Sequence, residues 1–201
     1  MNFKAIGFDY GGVIAGIPGP EFEKKVINLL DVELKTFQDV YFEFNYLMNN
    51  NVLPLEEFWK KVTGELEVSD KYNDLMKFIR ELPRHEINEE IIDLVDKLRA
   101  RGYKTGLLSN NTIEAANRFR ETGLVNHFDA VVVSAEIGFS KPHPKAFEIL
   151  IKQLGVTASE LIFIDDTEKS LVGAKEIGFH PILFTNHNSL LHILRSLGIN
   201  I

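Results

Sequence analysis

Short apolar runs recur along the chain and predict the strands of a β-sheet. Each run is bounded by glycine or by polar residues. Because the runs lack the alternating pattern of a half-exposed strand, they suit a parallel sheet covered on both faces. They are Phe3 to Phe8, Tyr103 to Leu108, Ala130 to Val133, Leu161 to Ile164 and Pro181 to Phe184.

The segments between these runs carry apolar residues at helical spacing. Asn88 can cap a helix whose apolar positions 91, 94, 95 and 98 share one face, and Gly102 follows as a stop signal. Strands that alternate with helices predict an α/β fold with a doubly wound, Rossmann-like parallel sheet. The further helices predicted are 112–121, 144–154, one from Thr167 to Gly178, and a last one ending near Gly198.

The interval between the first and second strands breaks this alternation, because it is far longer than a crossover needs. We expect a small α-helical bundle there, inserted as a cap domain over residues 17–83. The α/β core domain then consists of residues 1–16 and 84–201. Proline suits a first helical turn, and the helices of the bundle are expected to start near Pro20, Leu34, Pro54 and Asp70.

Aromatic residues are concentrated in this insertion. From general burial preferences, most of them are expected to fill the core of the bundle, and one or two to line a substrate pocket. Asn45, Tyr46 and Trp59 are the possible substrate contacts. The aromatic set is Phe37, Tyr41, Phe42, Phe44, Tyr46, Phe58 and Trp59.

Acidic residues follow two of the predicted strands. Asp9 comes directly after the first strand, and the pair Asp165 and Asp166 comes after the fourth. In open α/β sheets, ligands bind beyond the carboxyl ends of the strands, where strand order reverses. The carboxylates converge there if the two strands are neighbours. Since hard cations take carboxylate oxygens as ligands, the sequence predicts a metal site.

The amino-acid composition excludes some classes of binding partner and indicates a cellular compartment. The 201 residues have 45% hydrophobic content and a formal net charge of −7, which argues against nucleic acid or an anionic membrane as the main partner. The absence of cysteine excludes disulfides and thiol catalysis. No apolar run approaches a membrane span, and we expect no signal peptide before the first strand. We expect a cytoplasmic protein, monomeric by default.

Four short motifs resemble, in order, those of the haloacid dehalogenase-like hydrolase superfamily. They are Asp9, Ser109 at the end of the second strand, Lys141 in Ser140 to Pro144, and the pair Asp165–Asp166. The resemblance covers nearly the whole chain. The helical insertion is similar to the cap of the phosphatase-rich branch. Each motif alone is weak, whereas four in this order are specific.

The resemblance implies a phosphatase that acts on a small phosphorylated metabolite. Asp9 is then the nucleophile that takes the phosphoryl group, and water hydrolyses the aspartyl phosphate. Ser109 and Asn110 would hold the phosphate oxygens. Lys141 would neutralise Asp9 and the transferring group.

The resemblance also implies magnesium. Asp9, Asp166 and the backbone carbonyl of Gly11 would bind Mg²⁺ together with phosphate and water oxygens, since this ion prefers an octahedron of oxygens. Asp165 would orient a metal-bound water without binding the ion itself.

Gly11 departs from the pattern of most phosphatases in the superfamily, which carry there an aspartate that protonates the leaving group and activates water. Its carbonyl can still bind the metal, but the acid–base help, typically about 10²- to 10⁴-fold in rate, is lost. We therefore expect leaving groups that need little protonation, such as that of a sugar 1-phosphate or of an acyl phosphate.

Other interpretations remain open. Taken one at a time, each of these residues has an ordinary structural explanation. Asp9 is then a turn former, Asp165–Asp166 are acids that precede a helix, and Lys141 is a solvated lysine. The glycine spacing after Asp9 does not fit a dinucleotide loop, and the order of the acids does not fit a receiver domain. The alternatives are a binding or scaffold protein with little turnover and, less favoured, a 2-haloacid dehalogenase.

Overall fold

The computed structural model describes residues 2–16, 20–82 and 86–201. Its described strands form one parallel sheet in the order β3-β2-β1-β4-β5. The predicted doubly wound α/β fold is thereby confirmed. The strands are β1 (Ala5–Phe8), β2 (Lys104–Ser109), β3 (Ala130–Val133), β4 (Leu161–Asp165) and β5 (His180–Leu183).

Helices connect the strands and cover both faces of the sheet. The first four, α1 to α4, precede β2 and are Pro20–Leu30, Leu34–Asn49, Leu55–Glu65 and Tyr72–Arg80. The others are α5 (Glu89–Ala100), α6 (Ile113–Glu121), α7 (Ser134–Ile137), α8 (Pro144–Leu154), α9 (Glu168–Leu171), α10 (Ala174–Ile177) and α11 (His187–Ser196).

Each face of the sheet has its own hydrophobic core. On one face Phe8 and Ile164 pack with apolar residues of α5, α6 and α11. On the other face Phe163 packs with residues of α8 and α10. Gly7 and Gly106 let α8 approach closely, because a Cβ added at either glycine would lie within 3.2 Å of Leu150. This close packing fixes α8, and with it the segment that leads into it, over the sheet.

The helices α1 to α4, called here the helical bundle, surround a third hydrophobic cluster. Phe37, Phe58, Trp59 and Leu75 are almost fully buried in it. Among the described residues, this cluster contains only side chains from positions 22 to 79. The bundle therefore has a core of its own, separate from those of the sheet.

Two predicted segments differ from the structure or lie outside it. The single helix predicted from Thr167 to Gly178 is wrong: α9 and α10 are separated at Val172 and Gly173. Both residues keep right-handed helical dihedrals, but glycine is a poor helix former and the hydrogen-bond ladder is interrupted there. The predicted domain boundaries next to Ile17 and Pro83 lie outside the described residues.

The helices are short or amphipathic. Within residues 20–82 and 86–201, none combines the length and the apolar character that crossing a membrane requires.

Candidate active site

The predicted carboxylates meet at the carboxyl ends of two neighbouring strands. β1 pairs with β4 so that Phe8 lies beside Ile164, and the Asp9 amide donates to the Ile164 carbonyl at 2.8 Å. One carboxylate oxygen each from Asp9, Asp165 and Asp166 lies within 4.8 Å of the others. This cluster stands where the strand order reverses, as expected for an α/β ligand site.

Lys141 lies between two of these carboxylates. Its Nζ is 2.7 Å from Asp9 Oδ1 and 2.6 Å from Asp165 Oδ2, and its side chain is only 1% exposed. The ammonium also lies 5.2 Å from the centre of the Phe163 ring. A buried cation with two partners is a fixed point charge beside Asp9, unlike a solvated surface lysine.

Asp165 anchors the lysine. It is fully buried, its Oδ2 accepts from Lys141, and its Oδ1 accepts from the Thr167 amide at 2.9 Å. Both oxygens are therefore engaged by protein groups. Asp166 is half-buried, and its Oδ1 accepts from the Thr167 hydroxyl at 3.1 Å. Asp9 and Asp166 are thus better placed than Asp165 to hold a cation. The role of Asp165 in orienting a metal-bound water stays a prediction.

The electrostatics of the cluster favour added positive charge. Burial raises the pKa of the Asp9 carboxyl to about 6, with Asp165 adding to the rise and Lys141 opposing it. Burial also raises the pKa of Asp166, and the charge of Asp165 adds to that effect. Three carboxylates around one ammonium leave an excess of negative charge, which a divalent cation would neutralise. The all-oxygen donor set fits magnesium.

Asn110 has a definite partner that the sequence did not indicate. Its Oδ1 accepts from the Lys141 amide at 2.7 Å, and its Nδ2 donates to the Lys141 carbonyl at 2.9 Å. Its side chain therefore holds the lysine segment in place, and the predicted phosphate contact of Asn110 stays a prediction. Ser109 ends β2, beside β1, and is 2% exposed.

Gly11 and Gly12 lie in the turn that follows Asp9. The chain folds back on itself within this turn, because the Gly12 amide donates to the Ala15 carbonyl at 2.8 Å. Gly12 has φ +72°, and a Cβ there would lie 2.1 Å from Asp166 Oδ2. Only glycine lets this turn pass so close to the carboxylate.

Substituting Gly12→Ala is expected to weaken magnesium binding by about 10- to 100-fold, the usual range for disturbing a group that supports a metal ligand. The added methyl would displace Asp166 and strain a left-handed backbone. Titration calorimetry with MgCl₂ measures the change. Gly138→Ala is the control: it also has positive φ, but a Cβ there meets nothing within 4 Å. Equal losses in both variants would contradict the role of Gly12.

Magnesium affinity is expected to rise with pH up to about 6 and then to level off. Protons compete with the cation for Asp9, whose pKa is raised to about 6, so affinity should fall roughly tenfold per pH unit below that value. Calorimetry between pH 5 and 8 tests this. An affinity that is flat between pH 5 and 7 would contradict it.

A cavity of about 480 Å³ opens beside Asp166. Asn88, Phe184 and Thr185 contribute to its wall, together with Gly12 and its neighbours. No pattern in the sequence indicated that Phe184 and Thr185, which follow β5, lie near the acids.

The aromatic residues of the bundle divide between its core and its surface. Trp59 packs between Tyr41 and Phe58, with ring centroids 5.8 Å and 5.0 Å away, so it belongs to the core. By contrast, Phe42 and Tyr46 are 59% and 52% exposed. The expectation that most of these rings fill the core is confirmed. Tyr46 and Asn45 stay candidates for substrate contact.

Similarity to known proteins agrees with this site. A phosphatase of Mycobacterium tuberculosis is 25% identical over 198 residues, which cover 91% of this chain and 88% of the relative. The D-ribitol-5-phosphate phosphatase of Bacteroides thetaiotaomicron is 28% identical over 189 residues, covering 88% and 89%.

A solved structure with the same fold is the magnesium complex of a HAD family enzyme from Bacteroides thetaiotaomicron. It has a TM-score of 0.72 at 22% identity and covers 97% of this chain and 100% of its own. Finally, the sequence profile of the haloacid dehalogenase-like hydrolases matches residues 3–178. The predicted membership is thereby confirmed: the chain belongs to the haloacid dehalogenase-like hydrolases.

Proposed function

We propose that this hydrolase is a magnesium-dependent phosphatase that acts on a small phosphorylated metabolite through an aspartyl-phosphate intermediate. The observation that carries the proposal is the placement of Asp9. Its carboxylate stands at a strand end, beside the buried Lys141 ammonium and the carboxylates of Asp165 and Asp166. The names of the two relatives, both phosphatases, support the same chemistry.

Asp9 would attack the phosphorus, and the bond from phosphorus to the leaving oxygen would break as the new one forms. One oxygen of Asp9 is occupied by Lys141 and by the Tyr10 amide, which donates to Oδ1 at 2.6 Å. These donors fix the carboxylate, so its other oxygen is the natural nucleophile. Water would then cleave the aspartyl phosphate and release inorganic phosphate.

Lys141 and Ser109 would stabilise the charge on the transferring group. The lysine ammonium lies between two carboxylate partners, so its role is to neutralise charge on the transferring group as a fixed point charge. We propose that Asp9, Asp166 and the Gly11 carbonyl hold Mg²⁺, which supplies further neutralisation of the phosphoryl oxygens when bound. Asp165 keeps Lys141 in place.

The helical bundle is proposed as the cap domain, with residues 17–83 inserted into a core of residues 1–16 and 84–201. Its separate hydrophobic cluster supports this division. A cap over the site would shield the intermediate from competing water and would choose the leaving group. The proposed enzyme is cytoplasmic, in keeping with its cysteine-free composition, and is taken as a monomer by default.

The proposed substrates have leaving groups that need little protonation, because Gly11 has no acidic side chain. The anomeric oxygen of a sugar 1-phosphate and the carboxylate of an acyl phosphate qualify. D-ribitol 5-phosphate, the substrate in one relative's name, is instead an ester of a primary alcohol. A panel of all three classes, assayed for phosphate release with and without Mg²⁺, separates these choices. No Mg²⁺-dependent release from any member would overturn the proposed function.

Substituting Gly11→Asp should raise the rate on alkyl phosphates by about 10- to 100-fold, the lower part of the range for general acid–base catalysis. Acyl phosphates, which need no proton, should gain much less. Gly11→Asn is the matched control, since it adds the same bulk without an acid. A similar gain in both variants would contradict the explanation by proton transfer.

A scaffold protein with little turnover is the second candidate, and Gly11 is the observation that favours it. The intact group of Asp9, Lys141 and Asp166 opposes it, because mutually repelling buried carboxylates are costly without a function. The same acids oppose a dehalogenase, which needs no metal. Magnesium binding without phosphate release would favour the scaffold.

A further inference from the structure

The end of α2 is hydrogen-bonded to the sheet part of the chain at two points. The Ser134 hydroxyl, at the start of α7, donates to the Asn49 carbonyl at 2.5 Å. The Ser140 hydroxyl donates to Asn50 Oδ1. Both contacts join residues far apart in sequence, and both are formed by uncharged groups. They fix one end of the helical bundle against the sheet.

These two serines adjoin the segments that carry the candidate catalytic residues. Ser134 Oγ also accepts from the Asn111 amide at 2.9 Å, two residues after Ser109. Ser140 directly precedes Lys141. Because Asn110 binds the backbone of Lys141 on both sides, the two segments and the end of α2 form one hydrogen-bonded network.

The bundle has a hydrophobic core separate from those of the sheet. Among the described residues, its hydrophobic cluster includes no side chain of the α/β part. Two units with separate hydrophobic cores, joined by polar contacts, favour relative motion as the default. Polar contacts therefore help to hold the bundle in position. A movement of the bundle would affect Lys141 through the residues at the end of α2, because Asn50 is bonded to Ser140.

We propose that Asn50 is a positioning residue that acts through Ser140 on Lys141, so that docking of the bundle fixes the lysine segment for phosphoryl transfer. The kinetic part of this inference rests on the proposed function, whereas the structural part does not. When the bundle lifts, the Asn50–Ser140 bond breaks, and among the described residues only Asn110 still holds the Lys141 backbone. The lysine then points at Asp9 for a smaller fraction of the time.

Amide hydrogen exchange of the metal-free protein tests the coupling without any activity. In Asn50→Ala and in Ser140→Ala, exchange of the Lys141 amide should rise by about three- to tenfold, the amount expected for losing one neutral hydrogen bond. Gln38→Ala is the matched control, because Gln38 Nε2 donates to Glu23 Oε2 at 3.1 Å within the bundle. It should leave that amide unchanged. Trp59 fluorescence confirms that the bundle stays folded.

Kinetics supply the second measurement. Both variants should lower kcat by about three- to tenfold with little change in KM, and the double variant should be no worse than either single one. Unchanged exchange at Lys141, or additive losses in kcat, would overturn the inference. If the wild-type protein releases no phosphate, the proposed function fails, and hydrogen exchange alone still decides the coupling.

Discussion

Replacing Asp9 with asparagine is expected to abolish phosphate release, with a loss of about 10⁴-fold or more, as for other enzymes that lose their nucleophile. An amide cannot form the aspartyl phosphate. The measurement is phosphate release from the most active substrate at saturating Mg²⁺. Asp74→Asn, on the exposed face of α4, is the control and should retain full activity. Activity of Asp9→Asn within tenfold of the wild type would exclude Asp9 as the nucleophile.

The same variant should remain folded, and without metal at pH 8 it should be at least as stable as the wild type. The folded-state pKa of Asp9 is about 6, above its ordinary value of 3.8. Stability linked to this group is therefore complete below pH 4 and is lost as pH rises through 6. Asparagine avoids that loss because it carries no charge. Urea unfolding of the wild type and of Asp9→Asn at pH 4 and pH 8 measures this loss of stability. A large destabilisation of Asp9→Asn at pH 8 would contradict the raised pKa of Asp9.

Replacing Lys141 with methionine is expected to cost about 3–5 kcal/mol of stability at pH 8, as when one partner of a buried ion pair is removed. Asp165 would stay fully buried without its cation, because in the described part of the chain the partner of its second oxygen is the uncharged Thr167 amide. Phosphate release should be lost as well. Lys145→Met is the control: the Lys145–Glu148 pair is 55% exposed on both sides, and such pairs contribute little.

A second substitution separates lost packing from uncompensated charge. If charge is the cause, adding Asp165→Asn to Lys141→Met should recover most of the lost stability. Lowering the pH to 5 should also recover part of it, because the Asp9 carboxyl, whose pKa burial raises to about 6, then takes up a proton. Urea unfolding of the single and double variants at pH 5 and 8 is the measurement. A deficit that is the same at both pH values, with no recovery in the double variant, would point to packing.

The strands and the meeting of the acids could be predicted because both follow from local patterns and one topological rule. Buried parallel strands leave continuous apolar runs, such as Leu161 to Ile164, and residues after such strands lie at one edge of the sheet. Once β1 and β4 pair, Asp9 and Asp165 must be close.

The contacts of the surrounding polar residues could not be predicted in this way. Asn110 lies 31 residues before Lys141, and their two hydrogen bonds arise only when two loops approach in the folded chain. Helical spacing likewise did not show that Phe42 and Tyr46 of α2 face solvent while Phe37 is buried. The break at Gly173 is also local, but a single glycine is tolerated within many helices, so it was not a decisive signal.

The position of β1 at the centre of the sheet has a consequence for how the protein folds. Its partners are β2, beyond the whole helical bundle, and β4, near the end of the chain. Contacts between such distant segments slow folding. During synthesis, the apolar strand Ala5–Phe8 precedes both of its partners, and one of its edges stays open until β4 has been made. The nascent chain thus exposes an unpaired edge of a hydrophobic strand until β4 follows, and such edges are prone to aggregation.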